Sequence, residues 1–209
     1  MITLTSLSLV ALFIPTFFFV SVTPGMCMML SMTMGMSIGL KRTFWMMWGE
    51  LLGVAIVAIA SVVGIATVML EYPNIFNLLK YIGGAYLVYL GIQLWRSKGK
   101  MSFNVANKAH NTDRLNLAIQ GFITAIANPK GWAFFISLLP PFINPNIPVV
   151  PQLVLLISII LLIEFLCLIL YASGGKTLSK LLQKSGNVRL LNRISGSLMM
   201  GVGIWLALG

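Results

Sequence analysis

The chain predicts an all-α integral membrane protein of six transmembrane helices arranged as two inverted three-helix repeats, with helices 1 and 4 broken at Pro24-Gly25 and Asn128-Pro129. Three observations lead there. The 209 residues are 58% hydrophobic and only 9% charged, whereas a water-soluble domain carries about 25% charged residues. Basic residues fall on alternate connections between apolar stretches, as the positive-inside rule requires of a membrane protein. Finally, a proline interrupts the first apolar stretch of each half. A net charge of +10 alone would suit a nucleic-acid partner, but such proteins carry Lys and Arg on a polar, solvated face. Here the bulk is Leu, Ile, Val, Met and Phe, so nucleic acid is excluded, and so is a disordered chain.

The first apolar stretch runs from about 4 to 22. It lacks the basic leader and small-residue cleavage site of a secretory signal, so it is expected to be a retained span. A second apolar segment, 26 to 40, follows Thr23-Pro24-Gly25. As one straight helix residues 4 to 40 would measure roughly 55 Å, far more than a hydrocarbon core of about 30 Å, so the Pro-Gly must bend or break it. Span two is about 43–70, ended by Glu71-Tyr72-Pro73, and span three about 75–95, ended by Trp95-Arg96. Span four, about 115–139, is interrupted by Asn128-Pro129-Lys130 and stops at Pro140-Pro141. Spans five and six are about 149–172 and 190–208.

Lys41 and Arg42 lie between spans one and two. Arg96, Lys98, Lys100, Lys108 and Arg114 lie between three and four, and Lys176, Lys180, Lys184, Arg189 and Arg193 between five and six. These are twelve of the 14 basic residues; Lys80 is expected near the outer end of span three, and Lys130 lies inside span four. The connections around 71–74 and 140–148 carry no Lys or Arg. The basic connections are then cytoplasmic and both termini face outward. Three spans per half make the second half enter from the opposite side, as inverted transporter repeats do, and paired broken helices mark the substrate site of such proteins. The chain is expected to be one domain, with halves of about 1–95 and 115–209 joined by a cytoplasmic connection of about 96–114.

Ionisable groups inside the bilayer cost on the order of 3 kcal/mol each at the helix centre and call for pairing or function. At 1.5 Å per residue, Glu50 lies roughly 14 Å past Lys41, Glu164 roughly 18 Å before Lys176 and Lys130 roughly 24 Å beyond Arg114. Lys130 either neutralises one carboxylate, leaving the other to exchange a proton, or snorkels outward. Each proline removes a backbone donor and frees a carbonyl one turn earlier, tolerable in lipid only where protein, water or substrate satisfies it. Freed carbonyls suit an ammonium group and N–H groups at a half-helix start suit a carboxylate, so a zwitterionic amino acid fits both. The expected substrate-binding residues are Thr23, Pro24, Gly25, Asn128, Pro129 and Lys130, with Glu50 and Glu164 coupling protons.

Other features are expected to be structural. Gly35-x-x-x-Gly39, Gly49-x-x-x-Gly53 and Ser197-x-x-x-Gly201 permit close helix packing and leave room for a homodimer. Cys27 and Cys167 lie in apolar stretches as small hydrophobes. The methionines Met26, Met28, Met29, Met32, Met34 and Met36 fill space beside a mobile segment; soft-metal binding would add a Cys or His cluster, so no metal is expected. His110 is expected in a solvated loop. Ser173-Gly174-Gly175-Lys176-Thr177 lacks the first glycine of a phosphate-binding loop, whose place is Leu170, and no strand precedes it. No cofactor and no enzyme activity are expected; the partners are a small-molecule substrate, protons and membrane lipids.

These residues together resemble the lysine exporter (LysE) superfamily, most closely its homoserine and threonine exporter (RhtB) branch. The resemblance spans essentially the whole chain. It is carried by Thr23-Pro24-Gly25; Gly39, Gly49, Gly53 and Gly64; the stretch from Leu79-Lys80-Tyr81 through Gly83-Gly84 to Leu90-Gly91; Gly121-Phe122; Asn128-Pro129-Lys130; and Phe134-Phe135 followed by Leu139-Pro140. It implies a six-helix exporter of amino acids or related small solutes in the bacterial inner membrane, driven by the proton gradient; the outward-facing termini read from the basic connections are then periplasmic. Two departures stand out. Met26-Cys27 follow Gly25 where members commonly have a second proline and a polar residue, and Val57 stands where many have a histidine. A proton-carrying role in span two then falls to Glu50 or is absent. The alternatives are a divalent-cation or other small-solute transporter on the same scaffold, which would favour more clustered carboxylates, and a thiol-redox carrier pairing Cys27 with Cys167, which must approach to disulfide distance.

Overall fold

A computed structural model describes residues 4–71, 73–96, 113–139, 142–143, 147–183 and 185–208. The connection at 97–112, with Lys98, Lys100, Lys108 and His110, lies outside the described residues, as do Lys184 and the side chains of Lys80, Lys176 and Lys180.

Eight helices and no strand occur among the described residues: α1 (Leu4–Val22), α2 (Met26–Ile38), α3 (Leu40–Glu71), α4 (Pro73–Arg96), α5 (Arg114–Ile126), α6 (Pro129–Leu138), α7 (Val149–Gln183) and α8 (Ser185–Leu208). The helices break where proline predicts. Between α1 and α2 the axis bends by 57°, and α5 gives way to α6 across Ala127 and Asn128. Leu40–Gly64 and Val149–Gly175 are each long and apolar enough to cross a membrane, and the bent pair Val10–Val22 with Met26–Ile38 makes a third candidate. α7 outruns its expected end. At Gly175 its backbone turns to φ 40° and ψ −124°, and helix resumes on the far side of that kink to Gln183.

Small residues set the spacing between helices. Arg114 lies over the Trp45 ring at 5.4 Å, Gly49 meets the Ala118 backbone, and Gly53 meets Phe122 and Ala125. These pairs advance together along both chains, so α3 and α5 run parallel. On the other side, Ser31 bonds the Leu168 carbonyl at 2.8 Å and Gly35 abuts Ala172, so α2 and α7 also run parallel. α4 and α8 run antiparallel, with Gly91 against Gly196 and Gly84 against Gly203. Trp95 donates to Ser197 Oγ at 2.9 Å, and Arg193 covers the same indole at 4.8 Å.

The expected packing motifs are therefore corrected in part. Gly39 ends α2 at φ 80°, a left-handed conformation that glycine adopts without a Cβ penalty, and a Cβ there would meet nothing within 4 Å. Gly201 likewise touches no neighbour within 4 Å. Gly91, Gly196 and Gly203 make the close approaches instead, because they fall on the faces that α4 and α8 turn to each other.

Candidate functional site

The site begins with an orphaned carbonyl. Pro24 has no N–H, so the Val20 carbonyl, four residues back, loses its helical donor. Lys130, at the start of α6, reaches across and donates its Nζ to Val20 O at 2.7 Å and to Thr23 O at 3.4 Å. Neither pairing with a carboxylate nor snorkelling anticipated this partner. Its neighbours are capped from other helices: Tyr171 OH donates to Val22 O at 2.7 Å. The Thr23 and Ser195 hydroxyls lie 2.6 Å and 2.7 Å from Phe19 O and against each other, so one donates to Phe19 O while the other donates either there or to its fellow hydroxyl. The carbonyl end of α1, the negative end of its dipole, is thus closed by α6, α7 and α8.

The second break closes on itself. Asn128 caps α6, its Oδ1 accepting Lys130 N–H at 3.1 Å. The carbonyl that Pro129 frees, Ala125 O, takes the Asn128 N–H at 3.2 Å, and the Trp132 indole covers Ile126 O at 2.8 Å. Asn128 Nδ2 points at Cys27 Sγ, 3.6 Å away. At the start of α2, by contrast, Gly25 is the cap residue and no side chain bonds the first-turn N–H groups.

Between the two breaks lies a cavity of about 60 Å³. Of the residues singled out in the sequence, Thr23, Gly25, Asn128, Lys130, Glu50 and Glu164 line it, while Pro24 and Pro129 are not on its wall. Glu164, on α7, accepts a hydrogen bond from Ser21 of α1. Glu50, on α3, is 0% exposed, and neither carboxyl oxygen has a hydrogen-bond partner among the described residues. Glu164 and Cys27 line the same cavity wall as Glu50.

Residues that the sequence did not mark as site residues also line the wall, among them Ser21, Cys27, Phe17, Phe134 and Phe135. Cys27, expected to be a plain core residue, lies on the wall with Glu50 and takes the contact from Asn128. Its signal was its place in the first turn after a break. Val54 and Val57 also line the cavity, four and seven residues after Glu50 and so on its helical face. Beyond Phe17 an aromatic column continues: Phe17 to Phe134 at 5.5 Å, Phe13 to Phe17 at 5.8 Å and Phe13 to Phe142 at 5.0 Å.

Long apolar helices, two of them broken, around an internal cavity lined by ionisable groups define a membrane transporter. The sequence profile of the LysE type translocator family matches residues 18–209, and the chain belongs to that family, whose members are exporters rather than enzymes. It is 28% identical over 187 residues to the homoserine/homoserine lactone efflux protein of Salmonella typhi, covering 90% of each chain. It is equally similar, at 28% over 187 residues and 90% of each chain, to an uncharacterized membrane protein of Vibrio cholerae. With the uncharacterized membrane protein YrhP of Bacillus subtilis it shares 28% identity over 199 residues, 92% of this chain and 95% of that one. No solved structure matches the chain.

Proposed function

We propose that the protein is a proton-coupled secondary exporter of amino acids or closely related small solutes across the bacterial inner membrane, working by alternating access. One observation carries the reading: Thr23, Gly25, Asn128, Lys130, Glu50 and Glu164, scattered over the sequence, line one cavity between two broken helices. Relatives named for homoserine and homoserine lactone efflux support the substrate class.

In this reading α1 with α2, and α5 with α6, are each one broken span, and with α3, α4, α7 and α8 they make six. The halves, about 1–95 and 115–209, form one domain of two inverted repeats joined by a cytoplasmic connection at about 96–114. The parallel pairs α3 with α5 and α2 with α7, and the antiparallel pair α4 with α8, support six alternating spans, since each pair runs in the relative direction that alternation requires.

Thr23, Gly25, Asn128 and Lys130 form the substrate site, with Pro24 and Pro129 behind its wall setting the two breaks, and the uncapped start of α2 offers N–H groups to an anionic end of the solute. Glu50 and Glu164 carry the proton. At about 60 Å³ the cavity has room for a few water molecules, so a solute enters only when the helices move at their breaks. The aromatic column from Phe17 to Phe142 closes the route toward the periplasmic side.

The experiment is efflux of labelled amino acids from proteoliposomes under an imposed pH gradient. Stimulation by the gradient, abolished in Glu50→Gln or Lys130→Ala, is expected. Gradient-independent efflux removes proton coupling, and wild-type rates in both variants remove those residues from the mechanism.

A further inference from the structure

We infer that the end of the α4/α8 pair carrying Arg96, Arg189 and Arg193 is a binding site for the headgroup of an anionic phospholipid. The inference rests on the reading of α4 and α8 as membrane spans, and it concerns a face away from the cavity.

The antiparallel register brings the three arginines to one level. Gly91 meets Gly196 and Gly84 meets Gly203, which puts Arg96 level with Leu191, midway between Arg189 and Arg193. All three are exposed. The chain has four acidic residues against 14 basic ones, and the acids are placed elsewhere. Glu50 and Glu164 line the cavity, Glu71 ends α3 just before the opposite end of α4, and Asp113 caps α5 by accepting the Arg114 N–H. The connection at 97–112 contains no Asp or Glu. None of the three arginines has a carboxylate partner among the described residues, so their counter-charge comes from outside the chain.

Two features make this a site rather than a diffuse charge. The Trp95 indole is fixed, its N–H donating to Ser197 Oγ at 2.9 Å, and Arg193 lies over its face at 4.8 Å. Stacking occupies the face of a guanidinium and leaves the N–H groups along its edge for an oxyanion, which they grip with two parallel bonds. Arg189 stands one turn away on the same side of α8. The second feature is a groove lined by Tyr89, Ile92, Gln93 and Arg96, whose spacing puts them on one face of α4. Tyr89 lies about 10 Å deeper along the helix than Arg96, and its hydroxyl accepts the Gln93 amide. Polar groups thus stand at the mouth, and Ile92 and the Tyr89 ring carry an apolar floor inward.

This order of chemistry fits a phosphate at the arginines with an acyl chain laid along Ile92 and Tyr89, as basic pockets at the ends of spans hold lipid headgroups. A zwitterionic headgroup brings its own cation to a place that already has three. A glycerol-type anionic headgroup brings none.

The test is native mass spectrometry of the detergent-purified full-length protein with phosphatidylglycerol or phosphatidylcholine of the same acyl chains. Phosphatidylglycerol is expected to be retained at concentrations about tenfold lower than phosphatidylcholine. Retention is expected to fall about tenfold in the Arg189→Gln, Arg193→Gln double variant and to fall also in Trp95→Ala, while Lys41→Gln, which removes an exposed charge at the start of α3, keeps the wild-type value. Equal retention of the two lipids, or an equal loss in Lys41→Gln, reduces the arginines to a general attraction for the bilayer surface and overturns the inference. Displacement of the lipid by glycerol 1-phosphate at equal concentration gives the site to a free phosphate and overturns it too. Dimers that persist without lipid and vanish in the double variant give the face to a second copy, with the same result. Should the double variant fail to fold, thermal unfolding of the wild type decides: phosphatidylglycerol is expected to raise the midpoint more than phosphatidylcholine, and equal shifts overturn the inference. A protein that does not float with vesicles of either lipid in a density gradient overturns the membrane-span reading itself.

Discussion

Lys130 Nζ sits 2.7 Å from Val20 O, the one carbonyl that Pro24 deprives of its helical donor, across 110 residues of sequence. Removing the ammonium with Lys130→Ala leaves a buried acceptor open, at about 1–3 kcal/mol. Pro24→Ala restores a backbone N–H to the same acceptor. The two substitutions are therefore expected to be non-additive, with Lys130→Ala costing less in the Pro24→Ala background. Thermal unfolding of the four proteins in detergent measures the coupling, and strict additivity would show that the bond is not shared.

Tyr171→Phe removes only a hydroxyl, the donor to Val22 O. The ring is 1% exposed and the residue is not on the cavity wall. Stability is expected to fall by about 1–2 kcal/mol with efflux within twofold of wild type. A tenfold loss of efflux at unchanged stability would give Tyr171 a role in transport.

Asn128→Ala loses the cap of α6 and the contact with Cys27. Loss of an N-cap costs about 1 kcal/mol, so unfolding of Asn128→Ala should come earlier, while Asn128→Asp keeps an accepting oxygen and with it most of the stability. Equal losses in both variants would place the effect in the amide's bond to sulfur instead.

The fold was readable in the sequence wherever local chemistry decides it. Two prolines and a glycine locate both breaks, and apolar runs bound α1, α3, α4 and α8 to within a few residues. Glu50 and Glu164 declare themselves because charge in an apolar run is costly. What could not be read is long-range partnership. Nothing near Lys130 points to Val20, and nothing near Tyr171 or Ser195 shows that they close α1, because backbone acceptors have no sequence signature. Cys27 passed as a core residue for the same reason: its neighbour Asn128 arrives only with the fold. The extension of α7 past Gly175 was missed because the glycine pair and the lysines after it read as a loop.

Glycines at close approaches and glycines in open space should respond oppositely. A Cβ on Gly121 would press on Met46 O and lie 2.9 Å from Glu50 N, so Gly121→Val is expected to cost about 1–3 kcal/mol through overpacking and to displace Glu50, reducing efflux. Gly64 has nothing within 4 Å, and Gly64→Ala in the interior of α3 should hold or gain up to about 1 kcal/mol from helix propensity. Unfolding midpoints and efflux rates check both, and equal behaviour would mean that helix spacing does not depend on Gly121.

The register of the parallel pairs has a mechanical consequence. One half-helix of each broken pair is clamped to a long neighbour, α5 to α3 by Gly49 and Gly53, and α2 to α7 by Ser31 and Gly35. Neither short segment can swing alone without tearing a backbone-to-backbone seam. Under the proposed alternating access, the two clamped pairs would move as stiff units, with the give in the few residues of each break, Pro24-Gly25 and Ala127-Asn128. Glu50 belongs to one pair and Glu164 to the other, and the two pairs meet where Phe44 and Trp48 of α3 lie against Phe165 of α7, so a stroke that parted the two carboxyls would have to slide that aromatic contact.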